Sequence, residues 1–268
     1  MRIQYAVSSM IFWWRETKLS FEIECEFLKS EGFGIELWPY VRGQQECRFE
    51  KKNWPRLLAA TQDMLVSMRS RNDHPTLEQW AEQIECAKRL DADIVADLKS
   101  LGIYDNAEEN GSDFVSHIVS LAEEKNVKLC IETGSLPQLK QLSERFESIC
   151  FCIDTGYINL DQVFNFRHYV DALAERTTHL HLSDNYGKKN DHEPPGLCGG
   201  IPHKNWLYLL EALNNYGNDV IAAFEISPST PQVLLRQASA FMFDNLKWPN
   251  RPQDKKGVES ESPTYNPT

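Results

Sequence analysis

Four apolar runs in the second half of the chain each close on a residue able to hold a metal. VKLCIETG carries Glu132, SICFCIDTG carries Asp154, THLHLSDN carries His181 and DVIAAFEIS carries Glu225. These residues lie 22, 27 and 44 positions apart, enough for a helix between each pair of runs. Apolar runs alternating with helical stretches predict βα units on a parallel sheet. Parallel strands that end in polar residues place them on one rim, which in a (β/α)8 barrel is the active-site rim. Three carboxylates and one imidazole meeting there suit one divalent cation with coordination positions left over.

The rest of the chain extends this pattern to eight strand–helix repeats. The expected architecture is a single α/β domain, a (β/α)8 TIM barrel over residues 1–247. The first four strands are read in RIQYAVSS (2–9), GFGIELWPY, MLVSMRS and ADIVADL. Helices are expected from about Glu16 to Lys29, from Trp54 to Thr61 and around Phe114 to Ala122. Others begin at Pro137, run from about Leu160 to Glu175 and from Trp206 to Leu213, and close the ring from Pro231 to Leu246. In HPTLEQWAEQIECAKRLD, Leu77, Trp80, Ile84, Ala87 and Leu90 share one helical stripe. A loop over 185–202, rich in Gly, Pro, Lys and Asp, follows the His181 strand, a place where long loops carry function or lack order. From Trp248 onward, residues 248–268 have the composition of a disordered tail.

At 268 residues the chain matches the roughly 250 residues such a barrel needs. A formal net charge of −11 gives no electrostatic footprint for nucleic acid. No apolar run approaches the roughly 18–20 residues of a membrane span. MRIQYAVSSMIFWW has one Arg and no small-residue cleavage site, and reads as a first buried strand rather than a signal peptide. Seven cysteines without a CxxC pair argue against a disulfide framework and for a reducing, cytoplasmic setting. Cys150 and Cys152 share a strand face and form no zinc knuckle. The partner implied is a small molecule, with neither nucleic acid nor membrane.

GFGIELW, IETG, IDTGY and HLHLSDN, with NDHEPPG and the Glu of AAFEIS, resemble the xylose-isomerase-like barrel superfamily of sugar isomerases, epimerases and apurinic endonucleases. The likeness runs to about Lys247. It implies one divalent ion (Mn, Mg, Co or Zn) held by Glu132, Asp154, His181 and Glu225. It also implies an acid–base pair, Glu132 and Glu225, of the kind used by ketose 3-epimerases, and leaves a homo-oligomer open. Two departures stand out. Tyr157 replaces a His common three residues after the strand-six Asp, and NDHEPPGLCGG keeps His192 but loses a glutamate. His74 is the only histidine before residue 117, and strand four ends in Asp97. Trinuclear zinc endonucleases need several early histidines, so the likeness points to one metal.

An ion chelated by neighbouring oxygens of a hydroxy ketone acidifies the C–H between them and stabilises the enediolate. One carboxylate takes the proton and another returns it. The expected activity is metal-dependent isomerisation or epimerisation of a sugar, sugar acid or polyol-derived ketone. The alternatives are a dehydratase on the same site, an abasic-site endonuclease and a non-catalytic sugar-binding barrel. Expected substrate contacts are Glu36 and Trp38 after strand two, His74, Tyr157, and Lys188 and His192 on the long loop. Trp13 and Trp14 join Trp38 as candidate walls for a sugar face. Arg69, Arg71 and His74 form a basic cluster that either receives a carboxylate or phosphate or pairs with the acidic surface. His179 shares the face of His181 one layer deeper. Asp154 serves equally well as a helix cap.

Overall fold

The computed structural model describes residues 1–13, 20–40, 46–103, 112–132, 134–228 and 233–252. Eight short strands form a closed, fully parallel barrel in chain order. They are β1 (Ile3–Ser8), β2 (Gly34–Leu37), β3 (Val66–Arg69), β4 (Asp93–Ala96), β5 (Leu129–Glu132), β6 (Cys150–Asp154), β7 (Thr177–Leu182) and β8 (Val220–Phe224). β8 pairs back onto β1 from Ile3↔Val220 to Val7↔Phe224, so the sheet has no open edge. The described helices are α1 (Phe21–Ser30), α2 (Trp54–Ala60), α3 (Leu77–Leu90), α4 (Ser112–Lys125), α5 (Leu136–Arg145), α6 (Thr155–Ile158), α7 (Phe166–Leu173), α8 (His203–Tyr216) and α9 (Val233–Ala240). None of them is long and apolar enough to cross a membrane.

Strand alternation divides the barrel into two environments. Outward residues such as Ile35, Met68, Ile131, Phe151, Ile153, Leu180 and Phe224 pack under the helices with Leu28, Trp80, Tyr169 and Trp206 in one continuous core. That layer excludes water and supplies most of the hydrophobic stabilisation. The inward face carries small or polar side chains instead: Ala6, Ser8, Glu36, Ser67, Cys130, Cys152, His179, His181 and Ala223, all buried. A register shift between β6 and β7 pairs Phe151 with Thr177 but Cys152 with His179. The extra residue, Thr178, sits with its hydroxyl 3.3 Å from Cys130 Sγ. All seven cysteines are free thiols.

Local signals set the helix ends. Thr76 and Gln79 form a reciprocal capping box at the start of α3, and Asp91 ends it in the left-handed region at φ 51°. Ser135 with Gln138 starts α5, with Pro137 in the first turn. Asn165 caps α7 at Phe166, so the expected start near Leu160 falls too early. Ser20 caps α1, which begins at Phe21 rather than Glu16. Glu16, Trp14 and Pro231 lie outside the described residues, as does the expected tail from 253 to 268. The tail was expected from Trp248, yet Trp248 is buried. Its N–H reaches Met242 O, and Tyr5 donates to Pro249 O at 2.9 Å, holding the chain against the barrel past residue 247.

Trp80 is the anchor of α3: it is fully buried and its Nε1 donates to Ser100 O at 3.0 Å. Trp80→Ala is expected to lower unfolding stability by about 3–5 kcal/mol, measured by urea denaturation. A loss below about 1 kcal/mol would show that the site repacks.

Candidate metal centre

Glu132, the last residue of β5, Asp154, the last of β6, His181 in β7 and Glu225, just past β8, converge at the C-terminal rim. Each offers a ligand atom, and the four atoms lie within 4.8 Å of one another. All four residues are buried. His181 Nδ1 is 2.5 Å from Glu132 Oε1 and 3.2 Å from Glu225 Oε2. Glu225 Oε2 is nonetheless buried with no hydrogen-bond partner among the described residues. Asp154 Oδ1 accepts the Tyr157 N–H at 3.0 Å, so Asp154 caps α6 and still faces the cluster. A hard carboxylate set with one imidazole and an unanswered buried oxygen fits a divalent cation.

The electrostatics point the same way. Burial raises the Asp154 carboxyl, and Glu132 beside it adds to the rise. Burial raises Glu225 too, against the opposing pull of His181 and Arg69. For Glu132 burial also pushes upward, but Arg69 and His181 outweigh it and hold the carboxyl down at about 2. Burial works against the His181 imidazolium, while Cys152, Glu36, Glu225 and Glu132 raise its pKa well above the ordinary value.

A second buried layer orients the first. Glu36 Oε2 lies 2.8 Å from His181 Nε2 and 3.2 Å from His179 Nε2. Burial opposes the Glu36 charge, but the two imidazoles hold its carboxyl well below the usual range. A carboxylate only accepts, so both Nε2 atoms carry protons and His181 turns Nδ1 toward the cluster. Glu36 was expected to touch substrate. It is instead fully buried beneath His181, which places it behind the ligands.

Arg69, the last residue of β3, enters the same cluster. Its Nη1 donates to Glu132 Oε2 and lies 3.4 Å from His181 Nδ1. The guanidinium stacks on Trp38 at 5.0 Å, and Trp38 Nε1 donates to Ser8 Oγ at 2.8 Å. Trp13 meets Trp38 edge-on at 5.1 Å. Of the two readings of the residues after β3, pairing with acidic groups is the one seen for both arginines. Arg69 turns inward onto Glu132, whereas Arg71 pairs with Asp73 at 2.9 Å and stacks on Tyr40. His74 is exposed at φ 56°.

The loop after β7 is anchored by Asp184. Its carboxylate accepts the Asn185 and Ile201 N–H groups at 2.8 and 2.9 Å, and its backbone pairs with Glu193. Gly200 must be glycine, since a Cβ there would lie 1.5 Å from Asn185 O. The fold of this loop brings His192 Nδ1 to 3.9 Å from Glu225 Oε2, and His192 O accepts the Ser227 N–H. Tyr157 is 38% exposed in the first turn of α6, and Lys188 is exposed on the loop. Asp184 follows the strand in the HLHLSDN motif, where no local signal marks it for this role.

Two outcomes follow from this geometry. Asp184→Ala is expected to make residues 186–201 markedly more sensitive to limited proteolysis; an unchanged digestion pattern would refute the anchoring role. A cation entering the centre must also displace protons from the raised Asp154 and Glu225 and from His181, whose pKa is raised as well. Mn²⁺ affinity should therefore rise with pH and level off only once all three are deprotonated, with proton release seen by calorimetry in two buffers. An affinity that stays flat between about pH 5 and 8 would contradict this.

Residues 58–244 match the family described as the xylose isomerase-like TIM barrel. No curated protein matches the chain in sequence. Among solved structures, a D-psicose 3-epimerase in the presence of D-fructose superposes with TM-score 0.65 at 15% identity, covering 91% of this chain and 100% of that one. D-psicose 3-epimerase from Clostridium cellulolyticum H10 with D-tagatose gives 0.63 at 15% identity, with 91% and 98% covered. A xylose isomerase domain protein from Planctomyces limnophilus gives 0.60 at 12% identity, with 92% and 95% covered. At these identities the superpositions show a shared fold, and the family match covers well over half the sequence. The chain belongs to the xylose isomerase-like TIM barrel family.

Proposed function

We propose that this chain is a divalent-metal-dependent isomerase or epimerase of a sugar, sugar acid or polyol-derived ketone. The observation that carries the reading is the meeting of Glu132, Asp154, His181 and Glu225 at one rim, with ligand atoms within 4.8 Å. Family membership and the fold shared with D-psicose 3-epimerases support it.

A divalent ion held by these four residues would polarise a hydroxy ketone and lower the energy of its enediolate. Glu132 and Glu225 come from β5 and just past β8, three strands apart around the barrel. In this reading one takes the proton from the substrate carbon and the other returns it. Delivery to the opposite face gives an epimer; delivery to the neighbouring carbon gives an isomer. His192, 3.9 Å from Glu225, stands where it meets the same substrate oxygens. Trp38 and Trp13 wall the opening on the β1–β2 side and shed water from it. A further ligand-type group, Glu36 with His179, shares His181 and is closed to solvent, which favours a single ion over a multinuclear nuclease site.

The test is solvent deuterium uptake into ketoses, followed by NMR with Mn²⁺-loaded protein. Wild type is expected to exchange the carbon-bound proton next to the carbonyl. Glu132→Gln and Glu225→Gln should each lose at least about 100-fold. Loaded protein that exchanges no ketose would overturn the proposal and leave a sugar-binding barrel.

A further inference from the structure

We infer that Arg69 is a positioning residue that acts as a resident second cation of this centre. It shares Glu132 with the divalent ion and matches the centre to an uncharged substrate. The inference rests on the metal-dependent reading above.

Three observations support it. Arg69 bonds Glu132 Oε2, whereas the other oxygen, Oε1, faces His181 at 2.5 Å, so one carboxylate is divided between a fixed guanidinium and the ligand cluster. The guanidinium is locked in place. Its side chain is only 11% exposed and lies on Trp38, which is held by Ser8 Oγ at 2.8 Å and, through its backbone N–H, by Ser9 Oγ at 3.0 Å. Finally, Nη1 stands 3.4 Å from His181 Nδ1, so the guanidinium lies directly against the ligand cluster.

The charge count then has a direct meaning. Glu132, Asp154 and Glu225 bring three negative charges, and one divalent ion with Arg69 brings three positive ones. Glu36 below adds a negative charge shared by two imidazoles. A phosphate or carboxylate on the substrate would bring further negative charge to a centre with no positive charge to spare. Arg69 is thus committed to the protein's own carboxylate and is not placed to capture an anionic substrate group. Polyhydroxy ketones without a phosphate or acid group fit this balance.

Calorimetric titration with Mn²⁺ of wild type, Arg69→Gln and Arg69→Lys tests the role. Wild type should take one ion per chain. Removing the positive charge beside Glu132 should tighten Mn²⁺ binding about ten-fold or more in Arg69→Gln. Arg69→Lys, which keeps the charge, should stay within about three-fold of wild type. If Arg69→Gln binds Mn²⁺ equally or more weakly, Arg69 only clamps Glu132 in place and the inference fails; thermal unfolding of both variants separates misfolding from that result. The affinity comparison decides the role of Arg69 whether or not a ketose turns over. For the substrate, deuterium exchange should be faster on free ketoses than on their phosphates. Preference for the phosphates would overturn the charge argument, and exchange on neither would overturn it together with the isomerase reading.

Discussion

Three carboxylates buried within a few ångström of one another are the constraint on which the rest of this structure depends. Like charges at that distance repel strongly in a low-dielectric interior, and each also loses its hydration. The fold holds them there only because positive groups stand among them: His181 between Glu132 and Glu225, and Arg69 on the outer oxygen of Glu132. Burial without full compensation raises Asp154 and Glu225. Such a cluster gains most from a compact ion of charge two, which answers several oxygens at once.

The barrel makes this arrangement affordable by splitting its core into two layers. Stability comes from the apolar shell between strands and helices, where Trp80, Trp206 and Tyr169 are fully buried. The inner face is thereby released from packing duty and carries Ser, Cys, Ala, Glu and His. Glu36 and His179 are the clearest product of that division. Through Glu36 they fix which nitrogen of His181 faces the rim. Asp184 does similar work above the rim, where its carboxylate gathers loop N–H groups and so sets the height of His192 over Glu225.

The barrel and the four-residue cluster were legible in the sequence because a charged residue closing an apolar run is anomalous unless it has a partner. Four such anomalies in strand register leave few folds that bring them together. Arg69 was harder to see. In RSRNDH it reads as the first of a basic surface group, and only strand parity, with Ser67 and Arg69 inward and Met68 outward, separates it from Arg71. The single turn α6 is too short to show periodicity, and its cap is the same Asp154 that faces the cluster. The extra residue at Thr178 carries no local signal, since it is set by how β6 and β7 pair. Trp248 was assigned to a tail on the composition of the residues after it, but its own indole belongs to the core.

The most direct measurement is anomalous diffraction at the manganese edge from crystals equilibrated with Mn²⁺. One strong peak per chain is expected, in contact with oxygens from Glu132, Asp154 and Glu225 and with His181 Nδ1. His181 Nε2 should still rest on Glu36, and Arg69 on Glu132. A peak held instead by Glu36 and His179, several peaks sharing the rim, or no peak at saturating metal would contradict it.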